Sequence, residues 1–138
     1  MLKNISPLIL CVGLFWGAAV PVYSHHAASS EFNTDKTIQI KGVLSSIEWI
    51  NPHAFLHFDV VGPDGRTTNW AMLLAGTTVL RKSGLAKQML AVGQTYTVVA
   101  NPSKKGKPTG IVNTLTFPDG RVFTLGGPGS YAAKTGQQ

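Results

Sequence analysis

The sequence predicts a mainly β domain, a small barrel of five to six strands with one helical segment between the third and fourth strands. Short runs of alternating apolar and polar residues predict the strands, and Gly- and Pro-containing turns separate them. One stretch, residues 76–90, has helical periodicity instead. The length fits one domain, because removing 24 residues of an export signal from 138 leaves 114.

The first predicted strand covers residues 37–50. Its apolar residues change parity along the strand, from Ile38 and Ile40 to Val43, Ile47 and Trp49. We place the change at Gly42, because a glycine inside a strand is typical of a bulge or a sharp bend. Such a bend lets one strand serve two sheets or turn a barrel corner.

The second and third strands are predicted over residues 54–61 and 67–74, joined as a hairpin by Gly62-Pro63-Asp64-Gly65. Proline presets one dihedral of this turn and glycine supplies the left-handed one. Alternation divides the second strand into two faces. One carries Leu56, Phe58 and Val60, and the other carries Phe55, His57 and Asp59.

The helical segment is expected as two short helices, because Gly84 interrupts its periodicity. The remaining strands are predicted over residues 95–100, 110–117 and 121–125. This is the element order of the five-stranded oligonucleotide- and oligosaccharide-binding (OB) barrel. A short jelly roll or an immunoglobulin-like sandwich also uses many strands, but offers no natural place for a helix after the third.

An export signal is predicted at the amino end. Lys3 gives a positive start, residues 5–20 are largely apolar, and Val22-Tyr23-Ser24 satisfies the small-residue rule for cleavage after Ser24. The alternative of an uncleaved anchor is disfavoured, because the apolar run is shorter than the ~20 residues of a spanning helix. We therefore expect a periplasmic or secreted protein that meets the membrane only through its signal peptide.

Three parts follow: a signal peptide over residues 1–24, a single β-barrel-like domain with an N-terminal arm over 25–126, and a flexible tail over 127–138. Cys11 lies in the signal, so the mature chain has neither disulfides nor thiolate ligands. The mature chain, which lacks Lys3, has eleven basic and six acidic residues, a net charge near +5 with neutral histidines. The only basic cluster, residues 104–107, is interpreted as a solvated loop, and no nucleic-acid partner is expected.

The four histidines form two pairs, His25 with His26 and His53 with His57. Cleavage after Ser24 would make His25 the first residue, with a free α-amine beside its imidazole. His53 and His57 share a parity, but an extended strand separates their backbones by roughly 13 Å, so they are not counted as one site by default. The arm, in contrast, can bring His25 against His53.

These groups suggest a metal site. The α-amine and ring of His25 and the ring of His53 give three nitrogen donors, with His26 or His57 nearby. An all-nitrogen set favours copper as Cu(II), and zinc is the second choice. Cleavage after Tyr23 would instead give a Ser-His-His start that binds Cu(II) without the fold. A purely polar arm without metal is the remaining alternative.

The segment at residues 48–53 holds further candidates. Glu48 can orient a ligand imidazole. Trp49 is either a core residue or, with Trp70, a platform for a sugar, and Asn51 either ends the strand or supports the site.

Several segments together resemble a family of small exported bacterial proteins of unknown function, with a mature His-His start and a Trp-x-Asn-Pro-His motif. They are Ser24-His25-His26, Glu48-Trp49-Ile50-Asn51-Pro52-His53, Asn69-Trp70 and Pro118-Asp119-Gly120-Arg121. The family has serine at the third mature position, where Ala27 stands here, a departure that touches no candidate ligand. The resemblance spans most of the mature chain and implies that both histidine pairs belong to one site, without an established activity or cofactor.

No nucleophile elbow, glycine-rich phosphate loop or mature cysteine is present in the sequence, so we expect binding rather than catalysis, although copper-dependent oxygen chemistry stays open. The expected function is copper storage, delivery or electron transfer. The alternative is an OB-like module that binds an oligosaccharide or other anionic envelope ligand through Trp49, Trp70 and Phe55, or a structural partner of an envelope complex.

Overall fold

Between residues 38 and 124, six strands and two short helices follow one another in the predicted order. The computed structural model describes residues 30–125; the signal, His25, His26 and the predicted tail lie outside them. The elements are β1 (Ile38–Glu48), β2 (Phe55–Val61), β3 (Thr67–Leu73), α1 (Thr77–Lys82), a 3-10 helix (Lys87–Met89), β4 (Thr95–Pro102), β5 (Thr109–Thr116) and β6 (Val122–Thr124). No helix within these residues combines the length and apolar composition needed to span a bilayer.

A parallel pairing closes the barrel. Antiparallel ladders join the strands in the order β3-β2-β1-β4-β5-β6, and β3 then pairs with β5 in parallel, with Ala71 opposite Thr109. The Ala71 amide donates to the carbonyl of Pro108 at 3.0 Å, and the Thr109 hydroxyl donates to the carbonyl of Ala71 at 2.6 Å. The result is a closed five-stranded barrel with β6 as an extra strand, which confirms the predicted OB-like fold.

Strand β1 belongs to both halves of the barrel. Its first half pairs with β4 and its second half with β2, and Val43 takes part in both ladders. Leu44 and Gly42 are buried whereas Val43 is exposed, so the parity does not change at Gly42 as the sequence predicted. The register shift lies between Leu44 and Ser46, where Ser45 is the extra residue of a bulge.

Gly42 has a different role from the one expected. A Cβ at this position would lie 2.8 Å from Cγ2 of Val60 and 2.9 Å from the carbonyl oxygen of Asp59. Real Cβ atoms do not approach other atoms this closely, so only glycine lets β1 cross β2 here. The glycine therefore marks a close approach of two strands, and the bulge that changes parity follows three residues later.

The helical stretch divides as predicted. Helix α1 ends before Gly84, whose positive φ of 91° is a conformation that glycine adopts without steric cost. A single α-helix and one 3-10 turn thus stand between β3 and β4. The barrel interior is apolar, and its fully buried side chains include Leu44, Leu56, Phe58, Met72, Val98 and Leu115.

The segment that leads into β1 is fixed to the end of β4. Phe32 is only 4% exposed and pairs with Ser103 across an isolated β-bridge. The side-chain amide of Asn101, itself 3% exposed, donates to the backbone carbonyls of Asn33 at 2.9 Å and Lys36 at 2.8 Å. The chain therefore has a defined point of attachment just after its N-terminal arm.

We predict that Gly42→Ala lowers the free energy of unfolding by about 1–3 kcal/mol, because its methyl group must displace the backbone of β2. Urea denaturation monitored by circular dichroism measures this change. Lys41→Ala, at the exposed neighbouring position, is the matched control and should change stability by less than about 0.5 kcal/mol. Equal stability of the two variants would contradict the close approach.

Candidate functional site

The turn at residues 51–53 is held firmly against the start of α1. The side-chain oxygen of Asn51 accepts hydrogen bonds from the amide of Thr77 at 2.9 Å and from its hydroxyl at 3.1 Å. Gly76, the N-cap residue, has no side chain to do this. A Cβ at Gly76 would lie 2.6 Å from the carbonyl oxygen of Pro52, so the turn and the helix end fit together closely. Asn51 thus has a structural role as a capping residue supplied from another loop.

His53 projects from this fixed turn. Its side chain is exposed, and it makes no hydrogen bond or ion pair with any other residue in the range 30–125. The next residue, Ala54, is fully buried and exchanges backbone hydrogen bonds with residues 74 and 75. The backbone beside His53 is therefore held in place, and the imidazole has no hydrogen-bond or ion-pair partner within residues 30–125.

The two candidate tryptophans, Trp49 and Trp70, pack against the core. Trp70 stands opposite Phe58 in the β2–β3 ladder and packs, partly buried, against the core. Trp49 is also partly buried and packs against the core. Both side chains therefore stabilise the barrel, and neither shares the outer face that carries His57.

His57 and Glu48 form a short polar contact on the outer face. Nε2 of His57 lies 2.7 Å from Oε1 of Glu48, a contact that joins β2 to β1. The His57 side chain is 20% exposed, and the Glu48 side chain is 51% exposed. The ring of Phe55 stacks beside that of His57 with 6.4 Å between centroids. Among the predicted site residues that lie within residues 30–125, Glu48 and His57 are the only two whose side chains make a polar contact with each other.

Asn69 links this pair to two more polar side chains. Its amide nitrogen donates to Oδ1 of Asp59 at 2.7 Å and to the hydroxyl of Ser45 at 3.1 Å, and its amide oxygen lies 3.4 Å from Nδ1 of His57. The Ser45 hydroxyl in turn donates to the backbone carbonyl of His57 at 3.1 Å. A network of five side chains thus covers the outer surface of β1, β2 and β3.

The network determines which nitrogen of His57 carries a proton. An ionised carboxylate only accepts hydrogen bonds, so the Asp59 side chain orients the amide nitrogen of Asn69 toward itself. The amide oxygen of Asn69 then faces Nδ1 of His57, at the longer distance of 3.4 Å. Because the carboxylate of Glu48 only accepts and lies 2.7 Å from Nε2, Nε2 carries the proton and donates it to Glu48.

Sequence reasoning had named Asn69 and Asp59 without pairing them. The signal was present, because the predicted hairpin ends, Val61 and Thr67, stand opposite each other across residues 62–66, and this register places Asp59 opposite Asn69. No sequence pattern indicated Ser45, because the bulge determines the face of the sheet on which its side chain lies.

The segment Pro118-Asp119-Gly120-Arg121 is a turn with its own hydrogen bonds. The carboxylate of Asp119 accepts from the backbone amide of Arg121 at 3.0 Å and from its Nε at 2.7 Å. These bonds from Arg121, the backbone amide first, hold the pKa of Asp119 below its usual value. The Arg121 guanidinium also lies 5.0 Å from the ring centroid of Phe117. These contacts give Asp119 and Arg121 a structural role in the turn, and no ligand is needed to explain why they stand there.

Within residues 30–125, no group of three or more His, Cys, Asp or Glu side chains is arranged to hold a metal ion. His25 and His26, the ligands predicted at the amino end, lie outside that range. The tail predicted over residues 127–138 also lies outside it.

The model of DUF6152, a family of unknown function, matches residues 14–113. The chain belongs to this family. The match extends from the predicted signal through β4 into β5, and it confirms the expectation of an uncharacterised family. None of the curated proteins matches the sequence. That members of DUF6152 share a mature His-His start and a Trp-x-Asn-Pro-His motif stays a prediction.

We predict that Asn51→Ala destabilises the protein by about 1–2 kcal/mol, because the amide and hydroxyl of Thr77 lose their acceptor. Thermal unfolding compared with wild type measures the loss. Asn51→Asp is the matched control: it keeps an acceptor of the same shape at the helix start, and it should unfold at or above the wild-type temperature. A drop of equal size in both variants would rule out capping as the role of Asn51.

Proposed function

We propose that this DUF6152 protein is an exported, small metal-binding protein that holds Cu(II) at a site shared by its N-terminal histidines and the outer face of the barrel. Storage, delivery or electron transfer of copper in the periplasm is the corresponding function. Zinc is the second metal, because imidazole and amine nitrogens also suit it.

The observation that carries this proposal is the position of Phe32 relative to His57. Paired residues form one row across the barrel surface, from Phe32 through Ser103, Thr109 and Ala71 to His57. Each step is one interstrand spacing of about 4.8 Å, so the row covers about 19 Å along the surface. Barrel curvature makes the direct separation shorter.

The arm is long enough for this distance. His25 precedes Phe32 by seven positions. Ser30 and Glu31 are helical and add about 1.5 Å each, and the five steps before them span at most about 17 Å, so the arm reaches at most about 20 Å. The amine and ring of His25 are therefore within reach of a barrel imidazole. Because Phe32 is buried and bridged to Ser103, the arm starts from a fixed point on the barrel.

The donors favour copper. A mature chain that starts at His25 offers an α-amine and up to four imidazoles, and no thiolate. Nitrogen donors bind Cu(II) more tightly than they bind the other divalent first-row metals. Cu(II) also accepts planar coordination, in which the amine and ring of an N-terminal histidine can occupy two neighbouring positions.

We predict that protein exported and processed by a bacterial host begins at His25 and binds one Cu(II) in a nitrogen-rich site. Intact mass spectrometry locates the cleavage, and competition with a chelator, monitored by electron paramagnetic resonance, measures the affinity. His25→Ala, or chemical blocking of the α-amine, should each weaken binding by about 10–100-fold or more, because each removes one of the two nitrogen ligands that the first residue supplies.

A double variant tests whether the barrel takes part. His53→Ala combined with His57→Ala should reduce the affinity to that of a synthetic peptide with the sequence of residues 25–31. Gln39→Ala, an exposed change elsewhere on β1, is the control and should bind like wild type. Wild-type affinity equal to that of the peptide would refute a site shared with the fold.

The second candidate is an OB-like module for an oligosaccharide or another anionic ligand of the envelope, or a structural partner there. One observation favours it: the outer face of β2 and β3, where OB barrels bind ligands, carries the polar network around Asn69. The nearby loop between β4 and β5 contains Lys104, Lys105 and Lys107. Because Trp49 and Trp70 pack against the core, sugar binding would depend on polar contacts.

Asn69→Ala should then abolish retention of the protein on a panel of anionic glycans. If the wild-type protein binds none of the glycans on the panel, this candidate function is refuted.

A further inference from the structure

We propose that two copies of this chain associate through the open edge of β3, where residues 67–69 of each copy form an antiparallel ladder about a two-fold axis. The β2–β3 hairpins of the two copies then make one four-stranded sheet in the order β2-β3-β3-β2. The association does not depend on the proposed copper site, because the backbone of β3 and the loops beside it are sufficient to form it.

Strand β3 is paired along both edges for only part of its length. Its ladder with β2 runs from Thr67 to Leu73, whereas its ladder with β5 runs only from Ala71 to Leu73. Within residues 30–125, no other strand pairs with the edge beside residues 67–69, and the side chains of all three are exposed. This stretch has no proline, charged residue or register shift, the devices that usually protect an edge strand.

The backbone groups of Thr67 and Asn69 point into this open edge. The Ala71 amide donates to the carbonyl of Pro108, and the Ala71 carbonyl accepts from the hydroxyl of Thr109, so Ala71 turns both groups away from β2. A strand backbone alternates with a period of two, so Asn69 and Thr67 turn their groups the same way. Two N–H and two C=O groups therefore lie in a row on the edge, the arrangement to which a further strand is added.

Pro108 sets the limit of the open edge. Because Ala71 is opposite Thr109 in the parallel ladder, the residues before them, Trp70 and Pro108, are level with each other. Pro108 therefore fills the place where a new strand beside Trp70 would lie. Only residues 67–69 can take a new partner.

This limit determines the register of the dimer. A two-fold axis at Thr68 is excluded, because it brings the partner's Arg66 into the position that is already filled. An axis at Thr67 avoids the overlap. Thr67 then faces the partner's Thr67 and exchanges two hydrogen bonds with it, and the Asn69 amide donates to the carbonyl of the partner's Gly65.

Charges favour the same register. With the axis at Thr67, the hairpin turn of each copy reaches the loop between β4 and β5 of the other, which brings Asp64 close to the partner's Lys107. Both residues are exposed. An exposed ion pair adds little energy, so it acts mainly by selecting one register over others. Because few residues of each copy take part, we expect a weak dimer that depends on protein concentration.

Crosslinking tests the register. Thr67→Cys and Thr68→Cys are compared in a Cys11→Ala background, because Cys11 is the only natural cysteine. Directly paired residues have Cα atoms about 5.5 Å apart, within the range of a disulfide, so Thr67→Cys should form a covalent dimer on oxidation. The two copies of Thr68 are offset along the strands and lie about 8 Å apart, too far for a disulfide. Crosslinking at Thr68 alone, or equally at both positions, would overturn the register.

Thr67→Lys tests the dimer itself. It places two positive charges opposite each other at the axis, so the dimer dissociation constant in sedimentation equilibrium should rise at least about 10-fold. Thr124→Lys adds the same charge to an exposed position of β6 and should leave the constant unchanged. Circular dichroism should show that both variants keep the wild-type fold. A wild-type protein that stays monomeric up to about 1 mM would refute the dimer, as would a dimer that Thr124→Lys dissociates and Thr67→Lys does not.

Hydrogen exchange measured by nuclear magnetic resonance examines the edge directly. The backbone amides of Thr67 and Asn69 should exchange more slowly as the protein concentration rises, whereas the amide of Thr124 should not change. Slow exchange of Thr67 and Asn69 at every concentration would show that a segment of the same chain covers the edge, and would overturn the inference.

Discussion

The double pairing of β1 is the constraint on which the rest of this protein depends. One strand must run along β4 with its first half and along β2 with its second half, and it can do so only by crossing β2 closely at Gly42 and by adding a residue at Ser45. The bulge has a chemical consequence. It turns the Ser45 hydroxyl to the outer face, where it receives the Asn69 amide and supports the backbone of His57. Closure of the barrel and the orientation of one imidazole thus have the same structural origin.

Most of the fold could be predicted from the sequence, because the turns carry glycine or proline and the strands alternate over much of their length. The β2–β3 hairpin, the interruption at Gly84 and the order of the strands follow from such local signals. The bend of β1 was predicted, but its bulge was placed three residues early. The exposed Val43 explains the error, because an apolar residue on the outside looks the same in sequence as a change of parity. Which side a valine faces is decided by the neighbouring strands.

The site was predictable to a smaller extent. Shared parity placed His57 and Asp59 on one face, and the hairpin turn would have added Asn69. The contact between Glu48 and His57 could not be read from spacing, because it joins diagonal positions across a ladder whose register shifts at the bulge. Asn51 shows the opposite case. It stands in the segment that looked most like a site, yet its amide oxygen satisfies the start of a helix 26 residues away in sequence.

The buried amide of Asn101 has a consequence for the order in which the molecule is assembled. Its bonds to the carbonyls of Asn33 and Lys36 connect parts of the chain that are 68 and 65 residues apart. During synthesis the earlier segment leaves the ribosome first, but its partner follows only after β1, β2, β3 and both helices have been made. Contacts between such distant residues form late, because closing a long loop costs entropy before any bond forms. The segment that is made first is therefore among the last to be fixed in place.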